Sequence, residues 1–306
     1  MTMANPYVFY NGKIVPESEV HISVRCKGFN YGLGCFEGIR AYWDDSANQL
    51  YGFRMPEHYE RLLQSCKTIN IKLPYTVAEL CSVTRELLKK NNYRSTTYIR
   101  PLAFKGSDNV VPTLLDDDDR LVIYCQPMGS YAGKQELRVA FSSWERLGDN
   151  MLPPRTKPTA AYLNSGLASL EVVGRGYDEA LFLTRNGHVC EGPGENVFMV
   201  RRGKLITPPP SDNILEGITR DTVMLLAQEE LGMEVVERSI TRTEFYAAEE
   251  IFFSGTAMEV TAVVEVDNRT VGNGHQGPVC TKMKELFSRV ATAKIKKYAD
   301  FCQAVY

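Results

Sequence analysis

Lys157 is the amine with the best setting for chemistry in this chain: Pro158 behind it biases it to extended backbone of the kind that lines a cleft, and Tyr162 follows five residues on. A lysine amine can condense with a carbonyl carbon and, with its pKa depressed, carry a proton to and fro. Downstream, EGPGEN (191–196) sets Glu191 and Glu195 around a glycine-rich turn. Gly217-Ile218-Thr219 opens a helix with Asp221 in its first turn, which offers the amides of Ile218 and Thr219 and the positive end of the helix dipole to an anion. Arg61, in HYERL (58–62), can grip an anion bidentately. Singly, each has a plain reading: a surface lysine, a hairpin turn, a helix N-cap, a solvated arginine. Their occurrence together is what asks for a joint explanation. Metal chemistry is not expected, because the eight cysteines lack a CxxC and the four histidines form no HExxH or paired spacing.

Composition narrows the partners. The 306 residues are 44% hydrophobic and 24% charged, ordinary values for a globular chain of one large domain or two small ones. Thirty-five Lys and Arg against 37 Asp and Glu leave a net charge of -2, so no basic field attracts nucleic acid or an anionic membrane. Small molecules are the expected partners. The start, MTMANPYVFYNGK, has no basic segment followed by an apolar run, and no stretch approaches the roughly 18 apolar residues of a membrane span. A cytoplasmic protein is expected, with its cysteines as small packed hydrophobes.

The elements that must position these residues alternate between strands and helices. YVFYNGKIV predicts a hairpin about Asn11-Gly12. Helices are expected over MPEHYERLLQSCKTI and TVAELCSVTRELLKKNN, the second with a capping box of Thr76 and Glu79. STTYIRPLAF and RLVIYCQP follow as strands. The run Asp116 to Asp119 between them is expected to be a solvated loop tip. After QPMGSYAGKQ come a strand, a helix over about 163–175, hairpins turning at Asn186-Gly187 and near Gly203, the GITRD helix stopping at Gly232, and a helix capped by Thr241 and Glu244. A strand EEIFFSG, further strands and a last helix from about Val279 complete the chain. This mixture, without a strict βαβ repeat, predicts α+β in two domains: residues 1–126, a linker 127–136, and 137–306 carrying Lys157.

The motifs NYGLGCFEGIRAY (30–42), HYERL, TYIRP (97–101), KPTAAYLNS (157–165), EGPGENVF, EGITRD (216–221) and FSGTAMEV (253–260), in this order, resemble the class IV pyridoxal-phosphate aminotransferases of fold type IV, and among them most closely the branched-chain amino-acid aminotransferases. The resemblance runs over nearly the whole chain. It implies a D-amino-acid-aminotransferase-like fold with a smaller N-terminal and a larger C-terminal domain, pyridoxal 5'-phosphate as cofactor, and Lys157 as the catalytic lysine. It further implies Glu191 at the pyridine nitrogen with Glu195 and Asn196 behind it, and Arg61, Ile218, Thr219 and Thr256 on the phosphate. Leu215 would pack on the ring and Tyr162 would bond near its 3'-oxygen. The substrate would meet an aromatic pocket of Tyr31, Phe36, Tyr131 and Tyr162, with Gly38 and Met128 beside it, and Tyr98 with the amides of Thr256 and Ala257 at its α-carboxylate. Arg100 would take the distal carboxylate of glutamate. The resemblance implies a homodimer in which the residue matching Tyr31 comes from the partner, and amino acids and 2-oxo acids as substrates.

The chain departs from the branched-chain pattern in three places: Ala161 stands where Asn is usual, Met128 where an aromatic is common, and the loop after Lys105 lacks a glycine-rich form, which leaves Val110 or Val111 to reach a neighbouring pocket. These loosen the substrate pocket and leave the cofactor residues intact. An (R)-amine or D-amino-acid transaminase, or a 4-amino-4-deoxychorismate lyase, shares the fold, but FEGIR and TYIRP speak against the first and the aromatic pocket against the second. A non-catalytic relative would have lost the lysine or the phosphate residues, and neither is lost.

Overall fold

The computed structural model describes residues 5–129 and 133–306. Strands β1 (Tyr7–Tyr10) and β2 (Lys13–Pro16) pair across Asn11-Gly12, whose φ values of 41° and 92° are those a two-residue hairpin turn needs and Asn and Gly accept. Then come α1 (Lys27–Tyr31), β3 (Gly34–Phe36), β4 (Ile39–Asp44), β5 (Gln49–Phe53), α2 (Met55–Thr68), α3 (Val77–Asn91), β6 (Thr97–Lys105) and β7 (Asp119–Pro127). They build an antiparallel sheet ordered from the C-terminal strand Cys302–Ala304 through β5, β4, β6, β7 and β1 to β2, with β3 also paired to β6.

On α2 the buried residues Met55, His58, Tyr59, Leu62 and Cys66 recur at helical spacing. Met55, Tyr59, Leu62 and Cys66, with Leu80, Leu87 and Leu88 of α3, close over Cys35, Ile39, Ile99 and Ile123 of the sheet. Each such fully buried aliphatic side chain contributes about 1.5–3 kcal/mol. Neighbours along a strand point to opposite faces, so burying Ile99 and Cys35 in this core turns Tyr98, Arg100 and Phe36 to the other face. The expected capping box on α3 forms, with Thr76 and Glu79 each bonded to the other's backbone N–H.

The second sheet draws on β8 (Glu136–Glu145), β9 (Glu179–Leu183), β10 (Asn196–Arg201), β11 (Lys204–Thr207), β12 (Val235–Glu237), β13 (Glu250–Gly255), β14 (Glu259–Val266) and β15 (Arg269–Thr270). Its order is β12-β11-β10-β13-β14-β8-β9, with β15 on β14. The pairs β11/β12, β14/β8 and β8/β9 are parallel. Phe198 of β10 and Phe252 of β13 are in register, fully buried and stacked at 5.3 Å. The helices of this half are α4 (Tyr162–Gly174), α5 (Ile218–Glu229), α6 (Arg242–Phe245) and α7 (Pro278–Ala291).

Two compact units result, of similar size: Met1–Gly129 with Thr156–Ala160 and Val290–Tyr306, and Ser130–Arg155 with Ala161–Arg289. The contiguous division expected from composition is corrected at two places. Lys157, expected in 137–306, belongs to the first unit because Pro158 bridges to Cys35 and Thr159 donates to the carbonyl of Gly32 at 2.6 Å. The chain end returns there as well, where Cys302–Ala304 pairs with β5.

Two local expectations change. The acidic run is a solvated tip only at Asp117 and Asp118: Asp116 pairs with Lys27, and Asp119 with Lys105 at 2.7 Å. Both lysines are fully buried, and a buried ammonium needs its counter-charge, so the run anchors the irregular segment 106–118. Thr241 makes no side-chain cap on α6, and the Glu244 carboxylate that would complete a capping box is drawn into ion pairs with Arg238 and Arg201. All eight cysteines are free thiols, seven of them buried. No helix among the described residues is long and apolar enough to cross a membrane.

Candidate active site

In the first unit the Lys157 segment lies along β3. Its carbonyl accepts from the Phe36 amide at 3.0 Å, which fixes the backbone whatever the side chain does. Lys157 is half-buried, and its Nζ stands 5.3 Å from the centre of the Phe36 ring. The Arg100 guanidinium lies over the same ring at 4.1 Å and donates through Nε and Nη2 to the Tyr98 hydroxyl at 3.1 and 2.6 Å. Gly38 is required here, since a Cβ at that position would come within 2.5 Å of the Tyr98 oxygen. Phe36, Gly38, Tyr98 and Arg100 thus form one cluster with Lys157. Met128 continues from β7, with its amide on the Thr96 carbonyl at 2.9 Å. Tyr131 lies outside the described residues. Tyr31, on α1, is 41% exposed, and its hydroxyl donates to the Val110 carbonyl at 2.8 Å.

Arg61 does not stand alone. Its Nε and Nη2 donate to the two oxygens of Glu37 at 2.7 and 2.8 Å, and His58 Nδ1 lies 2.7 Å from the same carboxylate. Glu37 is fully buried. Burial alone would raise its carboxyl, but Arg61 and then His58 outweigh it and hold it well below the usual carboxylate range. The His58 imidazole is lowered as well, which for a base favours the neutral form: burial lowers it, Glu37 offsets part of that, and Arg61 and Lys157 add to it.

In the second unit, Glu191 is the centre of a separate network. Its Oε1 pairs with Arg146 Nη2 at 2.6 Å, and its Oε2 accepts from Asn196 Nδ2 and from the Leu215 amide, each at 3.0 Å. Asn196 also donates to the Leu215 carbonyl at 2.8 Å, so the backbone of Leu215 and the Glu191 carboxylate are held by one side chain. Burial would lower the Arg146 guanidinium, and the adjacent Glu191 outweighs it. Ile218 and Thr219 are the first two residues of α5 behind Gly217, as the anion reading requires. Thr256 and Ala257 sit in the turn from β13 to β14, and Tyr162 is the first residue of α4, half-buried.

Glu195 is placed differently from expectation. Asn196 supports Glu191, whereas Glu195 Oε2 takes the Gly194 amide at 3.1 Å and its Oε1 has no hydrogen-bond partner among the described residues. Burial, then the nearby Glu179, push its carboxyl well above the ordinary range. The folded protein therefore keeps a proton that the unfolded chain has released above roughly pH 4.3. Stability contributed by this group is present at low pH and lost as the pH rises through that window. Glu195→Gln removes the loss, so calorimetry at pH 8 is expected to show the variant unfolding a few degrees above the parent, with the two converging at pH 4. A gap of equal size at both pH values would contradict a protonated Glu195.

Two residues of these networks escape sequence reasoning. Glu37 lies inside the quoted FEGIR string, so a charged residue between Phe36 and Gly38 is the available signal. Arg146 has no motif around it, and only burial beside Glu191 reveals it.

Each unit, taken by itself, carries groups of the kind pyridoxal phosphate needs. The first offers the Lys157 amine and the Arg61 guanidinium, and the second the start of α5 and a Glu191 carboxylate pinned by three donors. The Amino-transferase class IV family matches the chain over residues 34–266. A probable branched-chain-amino-acid aminotransferase of Aquifex aeolicus (strain VF5) is 44% identical over 301 residues, 98% of this chain and 97% of that protein. The branched-chain aminotransferase of Thermoproteus uzoniensis, crystallised with norvaline, superposes with a TM-score of 0.95 at 42% identity, covering 99% of this chain and 100% of that one. The branched-chain amino acid aminotransferase of Thermobaculum terrenum, solved in its PLP-form, gives 0.95 at 39% identity over 99% of this chain and 100% of that one. With a family match over most of its length and relatives of this identity, the chain belongs to the class IV aminotransferases.

Proposed function

We propose that the protein is a pyridoxal-phosphate-dependent aminotransferase that moves the amino group of leucine, isoleucine or valine to 2-oxoglutarate, acting as a homodimer in the cytoplasm. The carrying observation is the cluster on Phe36: an aromatic face with one guanidinium, Arg100, held by a neutral hydroxyl and a ring instead of a carboxylate. An apolar side chain can rest on such a face, and an acidic one can recruit the guanidinium, so both half-reactions are served.

Pyridoxal phosphate supplies an electron sink for the charge left when the substrate Cα loses its proton. The protein does the rest. Lys157 would hold the cofactor at its aldehyde, and its amine would take and return the Cα proton. Glu191 would keep the proton on the pyridine nitrogen, with Arg146 and Asn196 holding the carboxylate in place. Arg61, the α5 amides of Ile218 and Thr219, and Thr256 would hold the phosphate, while Leu215 would pack on the ring and Tyr162 would bond near its 3'-oxygen. Tyr98 and the amides of Thr256 and Ala257 take the α-carboxylate, and Arg100 the distal carboxylate of glutamate. Phe36, Gly38, Met128, Tyr131 and the partner subunit's Tyr31 shape the side-chain pocket. A second copy is supported by exposed apolar residues on and around α1 and the bonded segment 106–118, where Phe29 is 77% and Val110 and Leu115 are each 81% exposed.

The test is a donor panel on the purified holoenzyme: leucine, valine, phenylalanine, D-alanine and an (R)-amine, each with 2-oxoglutarate and with pyruvate. The expected result is a yellow protein with turnover highest for leucine and valine on 2-oxoglutarate. Preference for D-alanine or the amine, or release of pyruvate from 4-amino-4-deoxychorismate, would replace this function by one of the two related ones.

A further inference from the structure

Glu37 is buried between two residues of the substrate cluster, yet its carboxylate is engaged elsewhere. It takes both Nε and Nη2 of Arg61 and the Nδ1 hydrogen of His58, all within 2.8 Å. Its own amide donates to the Pro101 carbonyl at 2.9 Å, and the amide of the preceding Phe36 to the Lys157 carbonyl at 3.0 Å. We propose that Glu37 is a positioning residue which, together with His58, orients the Arg61 guanidinium toward a phosphate dianion and ties that contact to the Phe36–Gly38 segment of the substrate pocket. The inference rests on the reading of Arg61 as a phosphate contact.

The geometry argues for orientation above stability. An arginine on a helix surface samples many rotamers, but a bidentate grip through Nε and Nη2 leaves a single direction for the remaining edge of the planar fork. A buried ion pair is seldom kept for stability, since apolar residues of equal volume serve as well or better. His58 completes the arrangement as a donor whose imidazole is kept neutral by burial, so it adds a hydrogen bond to Glu37 without adding charge beside Arg61. No amide can replace this carboxylate cleanly. A glutamine would turn an N–H toward one of three donors, and Arg61 would lose one arm of its hold.

The experiment measures the affinities of the full-length protein for pyridoxal phosphate, pyridoxal and inorganic phosphate in wild type, Arg61→Ala, Glu37→Gln and the double variant. Each single variant is expected to weaken pyridoxal phosphate and inorganic phosphate by about tenfold to a hundredfold, the range for leaving a buried polar partner unsatisfied. Pyridoxal, which has no phosphate, should bind as before. A general distortion of the site would weaken pyridoxal too. The double variant is expected to be no weaker than Arg61→Ala, because Glu37 acts through Arg61. Wild-type phosphate affinity in Arg61→Ala would overturn the phosphate reading itself. Loss in Arg61→Ala with wild-type affinity in Glu37→Gln, or additive losses in the double variant, would overturn the role of Glu37 alone. Should Glu37→Gln not fold, Glu37→Asp keeps the charge and shortens its reach, and an intermediate loss confined to the phosphate-bearing ligands is expected; unchanged affinity there also overturns the proposal.

Discussion

Lys157→Ala is expected to lower turnover of leucine with 2-oxoglutarate by about four orders of magnitude, the upper range for a positioned proton-transfer group, while leaving the fold intact. The backbone at this position is held by the Phe36 amide, by the Cys35–Pro158 bridge and by the two bonds from Thr159 to the Gly32 and Gly34 carbonyls, none of which involves the lysine side chain. The side chain itself is half-buried over one face of Phe36, so its removal opens little core. Circular dichroism and unfolding temperature should therefore match the parent. Borohydride reduction followed by mass spectrometry should attach the cofactor mass to the Lys157 peptide in the parent and to no peptide in the variant. Added methylamine should restore part of the lost rate by supplying the missing base. Wild-type turnover in the variant, or cofactor fixed to another lysine, would remove Lys157 from the mechanism.

The elements carrying this site are legible wherever the signal is local. Asn11-Gly12 fixes a hairpin through the φ values its own residues accept, and Thr76 with Glu79 caps α3 through bonds spanning three residues. Thr241 and Glu244 present the same pattern without forming the box, and Arg201 and Arg238 from outside the helix take the carboxylate that would return to Thr241. The acidic run 116–119 misleads for a related reason: its counter-charges, Lys27 and Lys105, are distant in sequence or buried at a strand end, and charge pattern cannot show burial. Domain membership of Lys157 follows from pairing with β3, more than a hundred residues upstream. At the site, motif strings name the residues expected to face ligand, since those obey fixed chemistry. The residues that hold them do not stand out. Arg146 can occupy any strand end that reaches Glu191, and Glu37 serves Arg61 through space, so neither leaves a spacing to recognise.

Glu191→Gln is expected to reduce turnover by about a hundredfold to a thousandfold, the range for removing one preorganised electrostatic group from a site. It is also expected to cost about 3–5 kcal/mol of stability, because Arg146 is then a buried cation without its counter-charge. The Arg146 side chain is only 12% exposed, so solvent offers little relief. The two effects have different origins and can be separated. Replacing both members, Arg146→Met with Glu191→Gln, removes the stranded charge, and the midpoint of urea unfolding should return most of the way to the parent value. Turnover should stay low, since no carboxylate faces the position where the proton of the pyridine nitrogen is to be kept. Measured together, unfolding midpoint and kcat form a cycle in which stability recovers and catalysis does not. Recovery of both in the double variant would mean that Glu191 serves only to neutralise Arg146, and the assignment of Glu191 to the cofactor would fall.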